Sequence, residues 1–129
     1  MDSLEVPTLC CVKIAELRKR GLSSFTEWRK SVDSLYIGRF MRIGSNHGPI
    51  LIKPSLWKNP YKLTKERDNI DEVLLQYEDH IRNSPLIDRL GELSGKELGC
   101  WCNGYNPCHG DILIKLFCEK FSEQISDLC

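Results

Sequence analysis

The sequence predicts a small layered α/β (or α+β) fold, a short sheet of two to four strands with helices packed on it. Three observations lead there. Short apolar stretches with β-branched residues alternate along the chain with segments of helical periodicity, which favours layers of sheet and helix. At 129 residues the chain has room for one sizeable core and not for two. Its 41% hydrophobic and 28% charged residues are ordinary for a folded globular domain. No apolar run approaches the ~18 residues that span a bilayer, so no membrane role is expected. The expected organisation is a tail over residues 1–8, a single α/β domain over 9–123 and a second tail over 124–129.

Taken in order, Leu9-Cys10-Cys11-Val12-Lys13-Ile14-Ala15 reads as a first strand, ended by the basic turn Arg18-Lys19-Arg20-Gly21. Ser24 followed by Glu27 has capping-box spacing, and Phe25 and Trp28 share a helical face, so a short helix over 24–31 follows. Leu35 to Phe40 reads as a second strand, with Gly38 marking a bulge or a close backbone approach. Ile50-Leu51-Ile52 is a short strand that can pair back. Residues 54–60 form a loop, because Asn59 before Pro60 is driven out of the α region. Ile70, Val73, Leu74, Tyr77 and Ile81 recur at three and four residues, the strongest helical signal in the chain. A short helix starts at Ser84-Pro85, and Gly95-Lys96 turns into a strand over Glu97–Cys102. The last helix runs from about Pro107 to Phe121.

The N-terminal Met1-Asp2-Ser3-Leu4-Glu5-Val6-Pro7 lacks the regions of a signal peptide, so an intracellular location is expected. Seven cysteines without a secretory route argue against a disulfide framework, and Cys10, Cys11, Cys118 and Cys129 read as small buried hydrophobes or tail thiols. The formal net charge of zero conceals an asymmetry. Residues 9–67 carry 13 basic and 4 acidic side chains, whereas residues 68–129 carry 5 basic and 12 acidic ones. Such a basic half suits either a solvated face or a phosphorylated partner, while the neutral whole argues against strong nonspecific binding to duplex DNA.

Chemistry concentrates in Cys100-Trp101-Cys102-Asn103-Gly104-Tyr105-Asn106-Pro107-Cys108-His109-Gly110-Asp111. On a strand, Cys100 and Cys102 would share a face and Trp101 would point into the core on the other. Asn106 is a good N-cap and Pro107 suits the first helical position, which would put Cys108 and His109 in the first turn of the last helix. Free N–H groups and the positive end of the helix dipole favour an anion or a thiolate there. Cys108 is then the candidate nucleophile, with His109 and Asp111 as acid/base or orienting groups. A zinc reading uses Cys100, Cys102, Cys108 and His109, with His47 or His80 as replacements. The ligand types suit zinc, but the one-residue gap between Cys100 and Cys102 suits it less. No Walker loop, dinucleotide glycine fingerprint or serine elbow is present.

Trp28, Tyr36-Ile37-Gly38-Arg39, Ser55-Leu56-Trp57-Lys58-Asn59-Pro60-Tyr61, Gly95 to Cys102 and Cys108-His109-Gly110-Asp111 together resemble a family of small phage, bacterial and large-DNA-virus proteins that goes by a domain-of-unknown-function label. The resemblance covers about residues 9–118. The chain departs from the family at Lys58, where a glycine is usual, and in a slightly longer loop between Cys102 and Cys108. The resemblance implies one domain in which Arg39, Trp57 and Asn59 group with Cys102, Cys108, His109 and Asp111, and these segments, with Asn106, are expected to meet around one pocket. Arg39 would clamp a phosphate or carboxylate, Trp57 would stack a base or sugar, and Asn59 would read polar edges. It supplies no reaction. The expected function is binding of a nucleotide or other phosphorylated ligand, with hydrolysis or transfer at Cys108. A noncatalytic zinc-stabilised module that binds protein or nucleic acid is the alternative.

Overall fold

Three parallel strands carry the architecture. In the computed structural model, which describes residues 4–44, 48–61, 69–101 and 108–125, they lie in the order β1 (Thr8–Cys11), β5 (Glu97–Cys100), β2 (Ser34–Tyr36). The last strand of the sequence is therefore the central one, with Leu98 paired to Leu9 on one side and to Leu35 on the other. A separate antiparallel hairpin joins β3 (Met41–Ile43) to β4 (Ile50–Ile52). The class is the mixed α/β one that the alternation of apolar segments predicts.

Side-chain alternation along the strands divides the interior into two cores, one on each face. Leu98 and Cys100 of β5 and Ile37 beyond β2 face Tyr77, Ile81, Leu90, Leu93, Leu113, Leu116 and Phe117. These come from α3 (Ile70–Arg82), a 3-10 helix (Pro85–Leu93) and α4 (His109–Lys120). Cys10 and Val12 face the other way, toward Leu17 of α1 (Ile14–Lys19), Phe25 and Trp28 of α2 (Phe25–Trp28), and Ile52. A short α5 (Ser122–Ile125) follows α4. Gly99 lets the second core close. A β-carbon there would stand 2.3 Å from Cη2 of Trp28 and 2.7 Å from Cγ1 of Val12.

Several boundaries differ from the sequence reading, each for a local reason. The first strand stops at Cys11, and Ile14 onward is helical. Ala, Glu, Leu, Arg and Lys in that stretch are good helix formers, and the turn buries Leu17 while leaving Ile14 42% exposed. The second helix is one turn long. Ser24 caps it by accepting from the Glu27 N–H, whereas the Glu27 carboxylate accepts from Ser23. The second strand ends at Tyr36, whose ring folds over Gly38 and whose hydroxyl donates to the Arg39 carbonyl at 2.8 Å. Gly38 thus marks a close approach. Residues 41–43, unassigned by the sequence reading, supply the partner strand of Ile50–Ile52.

β5 ends at Cys100, and Trp101 is 40% exposed, so the expected core placement of Trp101 is corrected. Cys118 is disulfide-bonded, which corrects its reading as a thiol. No described helix is long and apolar enough to cross a membrane.

Candidate functional site

The C-terminal ends of the three parallel strands gather the sequence candidates. Ile37 to Arg39 leave β2 there, Cys100 ends β5, and α4 begins beside them. The helix starts later than its Asn-Pro signal predicts: Cys108, with extended backbone, is the N-cap and His109 is the first helical residue. The Asp111 carboxylate fixes this start by accepting from the Cys108 N–H at 2.8 Å. An acid at the third helical position satisfies the capping N–H and faces the positive end of the dipole. Gly110 lets the first turn approach the sheet, since a β-carbon there would meet Cδ2 of Leu9 at 2.2 Å.

His109 lies across the top of β2. Its Nε2 donates to the Ile37 carbonyl at 2.8 Å, and its ring meets Tyr77 edge-to-face at 5.2 Å. Burial pulls the imidazole pKa below its ordinary value, opposed by the Ile37 carbonyl and by Cys108, and helped by the Arg39 charge. The proton thus rests on Nε2 and leaves Nδ1 as the lone-pair nitrogen. Asp111 moves the other way. Burial raises its pKa, against the hydrogen bond from the Cys108 backbone, and the Cys108 thiol beside it pushes in the same upward direction. Cys108 itself is 6% exposed, with its Sγ 3.8 Å from Sγ of the equally buried Cys100.

Cys108, His109 and Asp111 therefore share the start of α4, and the Arg39 charge acts on His109. Arg39 is exposed, and its guanidinium donates to the carbonyls of Asn59 (2.7 Å, from Nε) and Tyr61, pinning the loop after Trp57. Asn59 turns its side-chain oxygen onto the Tyr61 N–H at 2.9 Å. Trp57 is 3% exposed and packed in the core, so its ring offers no open face for stacking. Cys102, Asn106 and His47 lie outside the described residues. His80 is exposed and packs edge-to-face on Tyr61 at 6.2 Å. Among the described residues no three His, Cys, Asp or Glu side chains gather as metal ligands.

The sequence reading placed Tyr77 only in the core, yet it connects the site's parts. It is fully buried, its hydroxyl donates to the Trp57 carbonyl at 2.6 Å, and its ring supports His109. Burial, reinforced by Cys108, drives its pKa far upward, so it remains a neutral donor. The signal was available in the pattern: a tyrosine at a core position of the α3 stripe brings a hydroxyl that needs a partner.

Comparison with known proteins agrees with this description at the level of family. Residues 22–119 match the model of the domain of unknown function DUF4326. An uncharacterized protein of Acanthamoeba polyphaga mimivirus is 34% identical over 91 residues. That match takes in 64% of this chain and 65% of the viral protein, so the chain spans less than two thirds of its relative. No solved structure matches. The chain belongs to the DUF4326 family.

Proposed function

We propose that the C-terminal edge of the parallel sheet binds an anionic, phosphorylated small molecule, with nucleotides as the favoured class. The observation that carries this reading is the gathering of Cys108, His109 and Asp111 at the start of α4, with the charge of Arg39, from a distant part of the chain, acting on His109. Open α/β sheets bind ligands at this edge, where strand ends and helix starts leave backbone groups available. Arg39 keeps guanidinium N–H groups beyond those given to Asn59 and Tyr61. The first turn of α4 adds the dipole. Nδ1 of His109 is the proton acceptor, and the Cys108 thiol is the nucleophile for hydrolysis or transfer. Cys102 and Asn106 are ligand contacts in the same proposal.

Calorimetric titration with inorganic phosphate and with nucleoside mono- and triphosphates tests it. At least one should bind, and Arg39→Ala should weaken it about tenfold, as expected for a charge-assisted contact. Lack of binding by every compound at millimolar concentration would sink the proposal. Iodoacetamide labelling of Cys108 then separates binding from reaction: blocked labelling in the presence of ligand supports the thiol's role.

One observation favours a zinc-stabilised module as the second reading. A zinc ion bound tetrahedrally at about 2.3 Å from each thiolate would hold two sulfurs about 3.8 Å apart. Cys100 and Cys108 stand at 3.8 Å. His109 donating its other nitrogen to a backbone carbonyl also matches how ligating histidines are oriented. Such a site would need Cys102 as well. Metal analysis decides: one zinc per chain, lost in Cys108→Ser, selects the module, and metal-free folded protein removes it.

A further inference from the structure

We propose that the open edge of β2, facing β4, is a docking groove for an extended acidic segment of a partner protein. The groove has a volume of about 590 Å³ and is lined by Ser34, Leu35 and Tyr36 on one wall and Leu51, Ile52 and Lys53 on the other, with Arg29 and Ser55 at its ends. Among the described residues β2 is an edge strand paired with β5 alone. The Glu97 N–H donates to the Asp33 carbonyl, and the Ile37 N–H donates to the Gly99 carbonyl. Residues 33, 35 and 37 therefore direct their peptide groups at β5. Alternation turns the Ser34 carbonyl and both peptide groups of Tyr36 outward, into the groove.

An incoming strand would lie about 4.8 Å from β2 and take up these groups. Charge selects its chemistry. Arg29 and Lys53 are exposed, no carboxylate among the described residues pairs with either, and no acidic side chain lines the groove. Arg29 is held in place over the Phe25 ring, 5.8 Å from its centroid. Leu51, 61% exposed at the rim, offers an apolar contact to alternate side chains of the strand. An extended peptide with alternating acidic and apolar residues satisfies all three features. None of Cys108, His109 and Asp111 lines this groove, so the proposal stands without the ligand reading.

The test is fluorescence anisotropy of the full chain with a fluorescein-labelled Glu-Val-Glu-Val-Glu-Val peptide at low salt. Binding is expected, weakened roughly tenfold by Arg29→Glu combined with Lys53→Glu, because charge complementarity sets recognition at such a rim. N-methylation of alternate peptide amides should abolish it, since those amides would pair with β2. Arg29→Gln with Lys53→Gln serves if the charge-reversed chain unfolds early, and should weaken binding in the same direction. Failure of the peptide to bind would overturn the proposal. So would equal binding by the neutralised chain or by the N-methylated peptide, preference for oligothymidylate over the peptide, or self-association of the chain through this edge.

Discussion

The two ends of β5 carry opposite kinds of chemistry. At its start, Glu97 is matched side chain to side chain: Arg20 donates at 2.9 Å and the Trp28 indole at 2.6 Å. At its end, Cys100 faces Cys108, and neighbouring His109 and Asp111 bond to backbone groups. The first end is a closed lock between α1, α2 and the sheet. The second is held in shape by hydrogen bonds of Asp111 and His109 to main chain.

The contrast can be broken most sharply just before the second end, at Gly99. Gly99→Ala puts a methyl group against Trp28 and Val12, and overpacking should cost about 3 kcal/mol in urea unfolding. A near-neutral result would mean that the second core is loosely packed. Next comes the lock. Glu97→Ala leaves the buried Trp28 indole without its acceptor and should cost about 2 kcal/mol, while Glu97→Gln retains an acceptor and should cost less than half of that. Similar losses in both variants would assign the effect to the charge.

At the other end, Tyr77→Phe removes the donor to the Trp57 carbonyl and should cost about 1 kcal/mol by the same unfolding measurement. It should also shift the His109 ring resonances, because the two rings are in contact.

The smallest effect is the pH dependence, which has the same sign at both ends of β5 but falls in two different pH windows. Burial keeps His109 neutral in the folded chain, so its contribution is complete above the ordinary histidine pKa of about 6.5. That contribution falls as pH drops from there toward the lower folded value. The Glu97 carboxyl is pulled up by burial but held below its ordinary range by Arg20 and Trp28. Its contribution is complete above about pH 4.5 and is lost only as pH falls through the folded value. Stability measured from pH 7 to 5 should therefore decline in the wild type and stay flatter in His109→Gln. An unchanged slope would remove His109 from the account.

The α3 stripe was legible because a 3.6-residue period over Ile70 to Ile81 has one physical solution, and the observed helix spans Ile70–Arg82. Strand lengths were less legible. Val12 is apolar whether it ends a strand or precedes a helix, so only tertiary contact decides that α1 begins at Ile14. The N-cap was misplaced because Asn106-Pro107 is a strong local signal, whereas Asp111 acts from within the helix on Cys108. Trp57 was named from its motif, but composition does not reveal whether an indole faces a pocket or a core. The groove beside β2 had no sequence signal at all, since Ser34 to Tyr36 and Leu51 to Lys53 meet only through the fold.

That β5 is both central and late has a consequence for the order of events during synthesis. Until residues 97–100 leave the ribosome, β1 and β2 have no partner between them and cannot form the sheet. Roughly three quarters of the chain must wait, with its apolar strands unpaired, for one four-residue insertion. Formation of the sheet therefore waits for β5, and a nascent chain stalled before Glu97 should be digested by protease while one extended past α4 resists.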